Sequence, residues 1–215
     1  MAKIKQGILG GFSGKVANVV GTSWKGRAVM KSQPLSVANP KTEAQQEQRG
    51  KFSKIAELAS AVLTQFVQPV ENPISGDISG YNLFCKDNKA AFDASGKLVA
   101  AAFVCGGGKI INVELASWEV DEGSQLPILT WTNSAGISAL RLTDKVFAVV
   151  ADENAENIWV SAGTGTRNDE GCSFVKIKGE DAITVGAKYV GLVACVSADG
   201  RDVSVKTAAE SITAA

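Results

Sequence analysis

Hydrophobic and polar positions follow three different patterns along the chain. Residues 1–38 show no sustained period. Short apolar pieces (Ile8-Leu9, Val16, Val19-Val20, Val29-Met30) alternate with glycines, which predicts an extended, glycine-punctuated arm. Within it, Gly14–Val20 and Ser23–Lys31 read as two strands of a hairpin turning near Val20–Ser23. A helical period follows. Phe52, Ile55, Ala59, Val62, Leu63 and Phe66 recur at spacings of three and four, giving one apolar stripe. Two starts are open for this helix: Asn39 as cap with Pro40 at the first position, or Thr42 as cap with Gln45 closing a capping box. Glu43 suits the first turn. The helix is expected to end before Pro69, with Gln68–Gly76 a loop. A second helix is expected over Ser79–Phe92, with Tyr81, Phe84, Cys85, Asn88 and Phe92 on one face, broken by Gly96.

From about residue 98 the period shortens to that of strands. The expected strands are Leu98–Val104, Ile110–Leu115, Leu126–Thr132, Val146–Asp152, Ile158–Ala162, Ser173–Lys178, Tyr189–Ser197 and Val203–Thr207. Turn residues arrive every eight to twelve positions, the spacing of an antiparallel sandwich. Asp199-Gly200 is a hairpin signal in its own right. The expected fold is therefore α+β and mainly β, in three parts: a basic arm (1–38), a helical region (39–97) and a strand-rich domain (98–215).

Charge changes this picture most. The first 42 residues hold seven Lys or Arg and no Asp or Glu; through Lys54 there are ten basic and two acidic residues, and the remainder holds twelve basic and twenty acidic. A net charge of zero thus hides two regions of opposite sign, which implies a partner rather than a reaction. With 45% hydrophobic and 20% charged residues the composition is globular. No apolar run approaches the roughly 20 residues of a membrane span. Gly10, Gly11, Ser13, Gly14 and Lys15 break any apolar stretch near the start, so no signal peptide is expected there.

The candidate chemistry narrows quickly. There is no histidine, which removes Ser-His-Asp triads, Cys-His pairs and HExxH zinc sites. Cys85, Cys105, Cys172 and Cys195 are widely spaced, with no C-x-x-C pair, and read as small buried apolar side chains. GGFSGKV at Gly10–Val16 misses the P-loop pattern: Leu9 and Val16 occupy the wrong positions and no strand precedes it. Cys105-Gly106-Gly107-Gly108-Lys109 reads as a flexible joint, and Gly163-Thr164-Gly165-Thr166-Arg167 as a surface loop. The acidic sets Asp121-Glu122, Asp152-Glu153, Glu156, Asp169-Glu170 and Glu180-Asp181 sit in expected turns and read as solvated. No catalytic residue, cofactor or metal is expected. Trp24, flanked by Ser23 and Lys25-Gly26-Arg27, either plugs a pocket on a neighbouring subunit or stacks on a base, the first being the preferred reading.

Two resemblances add to this. Trp131 in the run LTWT and Tyr189 opening YVGLVACVSADGRDVSVKT resemble fibronectin type III and immunoglobulin-like domains over roughly residues 109–207, and imply an antiparallel β-sandwich. KIKQGILGGFSGKVANVVGTSWKG followed by NPKTEAQQEQRGKF, about Lys3–Phe52, resembles an uncharacterised family of proteins from Bacteroidota and their phages. The ordered elements are the Gly-rich opening, Trp24-Lys25-Gly26, Asn39-Pro40, Thr42, Ala44-Gln45 and Arg49. A similar N-P-x-T-x-x-Q-x-x-R element occurs in phage virion proteins. The likeness implies a structural protein of a tailed phage related to the crAss-like group, localised to the virion and assembled in the host cytoplasm.

The expectation is a non-enzymatic virion protein, an auxiliary (decoration) capsid protein held by its arm. The alternatives are a tail, portal-ring or head-fibre attachment component, or a nucleic-acid-binding protein. Its partners would be other virion proteins, with homo-oligomers within the particle and no membrane. Lys3, Lys5, Lys15, Lys25 and Arg27 would steer docking. Ile4, Ile8, Leu9, Phe12, Val16, Val19, Val20 and Trp24 would anchor it, their burial contributing on the order of 10 kcal/mol gross before ordering.

Overall fold

The runs VFAVVA and YVGLVACV are apolar at odd and even positions alike, which requires burial on both faces of a strand. In the computed structural model they form the centre of the largest sheet. The structure describes residues 3–4, 12–24, 27–36, 41–121, 125–133, 135, 137–161, 165–180, 182–184 and 186–213. The chain divides into two compact units, Met1–Thr42 and Glu43–Ala215.

The first unit is a four-stranded antiparallel sheet in which β1 (Lys3–Ile4), β2 (Phe12–Val16), β3 (Val19–Trp24) and β4 (Arg27–Ser32) lie in chain order. This corrects the expected extended arm and its single hairpin. The reversal falls at Ala17-Asn18, where Ala17 takes φ +48°, and Val20–Ser23 lies inside β3 instead of turning. The backbone groups of a glycine-rich segment must find partners, and neighbouring strands of the same segment supply them.

The second unit is mainly β and antiparallel among its named strands, with three α-helices among the described residues. Strands β6 (Glu114–Val120), β7 (Pro127–Thr132), β8 (Lys145–Asp152), β9 (Ile158–Ser161), β10 (Gly171–Lys178), β11 (Lys188–Val196) and β13 (Glu210–Thr213) form one sheet in the order β13-β11-β8-β9-β10-β7-β6. β10 changes partner along its length. Gly171–Ser173 pair with β7, and Phe174–Lys178 pair with β9. Two short strands, β5 (Val104–Cys105) and β12 (Thr207–Ala208), pair separately. Expected strand Leu98–Val104 is instead a bridge at Leu98 followed by a 3-10 turn at Ala100–Ala102, and Ile110–Leu115 gives way to β6. Of the expected strand Val203–Thr207, Val203 and Ser204 make isolated bridges and Thr207 opens β12, and the last strand on β11 is β13. Asp199-Gly200 does form its turn, with Gly200 at φ +73°.

Helix α1 (Glu43–Ala61) runs into a π-turn at Leu63–Val67, then α2 (Gln68–Glu71) and a 3-10 turn at Asn72–Ile74. The expected loop at Gln68–Gly76 is thus largely helical. Pro69 begins a helical segment rather than ending one, because a first-turn residue needs no N–H partner. The proposed cap Asn39 and the proposed first helical residue Pro40 lie outside the described residues. Helix α3 (Gly80–Asp87) starts where expected: Ser79 Oγ accepts from the Asn82 N–H at 3.3 Å. It stops early, at the buried Asn88, whose Nδ2 donates to the Phe84 carbonyl at 3.0 Å and the Val104 carbonyl at 2.9 Å.

These elements share one core. Ile55, Leu58, Val62, Phe66, Phe84 and Phe92 pack with Phe147, Val149, Val190, Leu192 and Val196. The alternate residues of the same strands, Val146, Ala148, Val150, Val193 and Cys195, pack with Trp131, Trp159 and Phe174. β8 and β11 are therefore covered on both sides. Phe52, placed on the helix stripe by period, is 60% exposed; Leu58 takes its place. No described helix is long and apolar enough to cross a membrane.

Candidate functional site

The register of the first unit turns its sequence into two distinct surfaces. Lys15 pairs with Val20, and Val20 with Lys31; Val16 pairs with Val19, and Val19 with Ser32; Gly14 pairs with Gly21, and Gly21 with Met30. Side chains alternate across a sheet, so Lys15, Val20 and Lys31 lie abreast on one face beside Thr22 and Val29. Val16, Val19, Ser32 and Met30 lie on the other, separated by the glycine pair. Met30 is 69%, Val16 51% and Val19 40% exposed. The result is one cationic face and one apolar face, with no carboxylate in the first 42 residues to neutralise either. Apolar side chains exposed together on one face of a sheet are more than the singly scattered ones of an ordinary surface.

The structure puts Lys15 and Val20 on one face of this sheet and Val16 and Val19 on the other, and sequence reasoning missed Val29, Met30 and Lys31, which only the β3–β4 pairing adds. Lys3 and Ile4 pair with Ser13 and Phe12, and Trp24 pairs with Arg27 across β3 and β4. Lys5, Ile8, Leu9 and Lys25 lie outside the described residues.

In the second unit the ionisable groups that stand out were not the ones expected. Glu71 is 2% exposed; its Oε1 accepts from the Gly106 N–H at 3.1 Å, and Oε2 has no partner. Burial pushes its carboxyl up to about 7, against the pull of the Gly106 N–H; nearby Asp87 raises it further. The glycine run is correspondingly rigid, not a flexible joint. Gly107 and Gly108 N–H both donate to the Ser204 carbonyl at 3.0 Å, and a Cβ at Gly108 would collide with the Val203 carbonyl. Arg167, expected on a surface loop, is fully buried beside Asp144, with Nε 3.6 Å from Asp144 Oδ2. Burial raises the Asp144 carboxyl although Arg141 and Arg167 lower it.

Among the expected acids, Asp152 accepts from the N–H groups of Glu156 and Asn157, so it ties a turn. Glu122 and Asp181 lie outside the described residues. Cys85, Cys105 and Cys195 are buried free thiols, and burial pushes Cys195 up to about 11 and Cys172 up to about 12. Among the described residues no three His, Cys, Asp or Glu side chains gather as a metal site would require.

No curated protein and no solved structure matches this chain. The family of unknown function DUF6266 matches residues 11–207, reaching well beyond the N-terminal signature, and the chain belongs to that family.

Proposed function

We propose that this protein is a non-enzymatic structural component of a phage virion, an auxiliary (decoration) capsid protein that attaches to the shell through its first unit. The observations that carry the reading are that unit's sequence, seven cations without an acid, and its described sheet, with exposed Val16, Val19 and Met30 on the face opposite Lys15 and Lys31. Cations steer an approach to an acidic surface, and apolar burial holds the complex.

The reading of the strand-rich part as an immunoglobulin-like module is supported by its strand order, β6-β7-β10 continuing into β9-β8-β11-β13. Further support comes from the buried Trp131, and from Tyr189, whose hydroxyl accepts from the Thr184 N–H at 2.9 Å in the manner of a tyrosine corner. Such a module would face away from the shell.

The test is deletion of residues 1–38, scored by co-sedimentation with assembled particles. The truncated chain should stay folded and fail to co-sediment. Loading equal to that of the full chain would refute the anchor. A tail, portal-ring or head-fibre attachment role differs in which particle component retains the protein. The cationic face also favours a second reading, nucleic-acid binding. With about eight phosphate contacts, log K should fall with log salt at a slope of roughly −7 on duplex DNA. A flat salt response removes that reading.

A further inference from the structure

At one end of the second unit's sheet a cavity of about 250 Å³ is lined by Lys109, Ile111, Ser138, Arg141 and Arg167, among others. Three of these are cations. Among the described residues no carboxylate lines the cavity; the nearest acid, Asp144, is buried and sits 3.6 Å from both Arg141 and Arg167. One acid therefore faces two guanidinium groups, and the exposed Lys109 adds a third positive charge.

Arg167 makes the site unusual. Its side chain is fully buried, yet Nε and Nη1 have no hydrogen-bond acceptor, and only Nη2 donates, to the Ile111 carbonyl. The separation from Asp144 Oδ2 is beyond hydrogen-bond range, and that oxygen is itself unpartnered. A buried guanidinium with two idle donors is a group awaiting an acceptor. A guanidinium is planar and carries five N–H donors spread over its edges, so an oxyanion can engage it through the edge that faces the cavity. Ser138 Oγ accepts from the Leu140 N–H at 3.4 Å, which leaves its own hydrogen able to donate.

The geometry points to this cavity as a binding site for a small oxyanion, a carboxylate or a phosphate, held by Arg167 at its base with Lys109 and Arg141 at its mouth. The volume limits the occupant to a small molecule or a single charged group of a larger one. This site is independent of the first unit and of the virion reading.

A built-in reporter allows a direct test. The Trp131 indole N–H donates to the Arg167 carbonyl at 3.2 Å, so its NMR signal responds to a ligand on Arg167. The full chain is titrated with inorganic phosphate and, separately, with acetate, each against chloride at equal ionic strength. A saturable shift of the Trp131 signal is expected with at least one probe, with Kd on the order of 1 mM. Lys109→Ala alters the mouth away from the buried Arg167, Arg141→Gln removes the other guanidinium that shares Asp144 with it, and each should weaken binding about threefold or more. Whichever probe saturates the signal identifies the ligand chemistry. Chloride acting as strongly as both probes, the absence of saturation with either, or variants that bind as tightly as the parent chain would each overturn the proposal.

Discussion

Replacing Glu71 by Gln isolates the energetic consequence of burying one carboxyl. In the folded chain this group titrates near 7, against an ordinary value of 4.5. Burial is the largest cause, and the hydrogen bond from Gly106 offsets only part of it. A raised carboxyl means that the folded state holds its proton more tightly than the unfolded state does. Stability is then unaffected by this group below about pH 4.5, falls as pH rises through the interval up to about 7, and stays reduced above it. The full reduction is about 3 kcal/mol, a large share of the 5–15 kcal/mol that holds a typical domain together. Glutamine keeps the acceptor for the Gly106 N–H and cannot ionise, though it sets an unpartnered amide where Oε2 stood, at a pH-independent cost of about 1–3 kcal/mol. The informative quantity is therefore the pH dependence of the difference between the two proteins. Urea unfolding followed by tryptophan fluorescence, at intervals from about pH 5 to about pH 8.5, measures it. The stability of E71Q relative to the parent should rise by about 2.5 kcal/mol across that range, part of the reduction being already present at its lower end. No histidine is present to add a competing step. Parallel stability curves for the two proteins would refute the claim that Glu71 is buried and strained in its charged form.

Asn88→Ala removes both donations from Nδ2 and the bond from the Val104 N–H to Oδ1 at 2.7 Å, and should lower stability by at least about 2 kcal/mol in urea unfolding. Cys85, Cys105 and Cys195, buried and with raised thiol pKa values, should resist a thiol reagent at neutral pH until urea unfolds the chain; Cys172, half-buried with its thiol near 12, should react slowly at most. A chain reduced to residues 98–215 should lack cooperative thermal unfolding, since it loses Ile55, Leu58, Val62, Phe66, Phe84 and Phe92 from the core, on the order of 10 kcal/mol of gross burial.

What could be read from sequence was what local pattern determines. β7 to β11 follow from runs whose period and turn residues agree, and α3 follows from Ser79 and its apolar face. β13 escaped because ESIT is short and half polar; its identity as a strand comes from pairing with Lys188–Gly191 of β11. Glu71, Asp144 and Arg167 look like surface residues in sequence, because burial of a charge depends on elements far away along the chain. For Arg167 the carbonyl it reaches belongs to Ile111, 56 positions earlier. The charge asymmetry of the first unit was fully legible. Its two faces were not, since they depend on a turn at Ala17-Asn18, and an alanine at φ +48° gives no turn signal of the Asn-Gly kind.

The same reasoning explains why residues 43–97 and 98–215, distinct in texture, cannot be distinct in energy. β8 and β11 present one row of side chains to the helices and the other to Trp131, Trp159 and Phe174. A strand apolar on both faces has no solvated side to fall back on, so losing either layer exposes a full row. Gly191 shows how closely the second row is filled: a Cβ there would run into Ile212 and Trp118, side chains from the sheet's two terminal strands. Those two strands therefore meet over the centre of β11, which holds the sheet curled around the second cluster. That curl carries β6 and β7 to the side of β8 and β11 opposite the helices, and it makes the helices, the central strands and the curled edge a single cooperative unit.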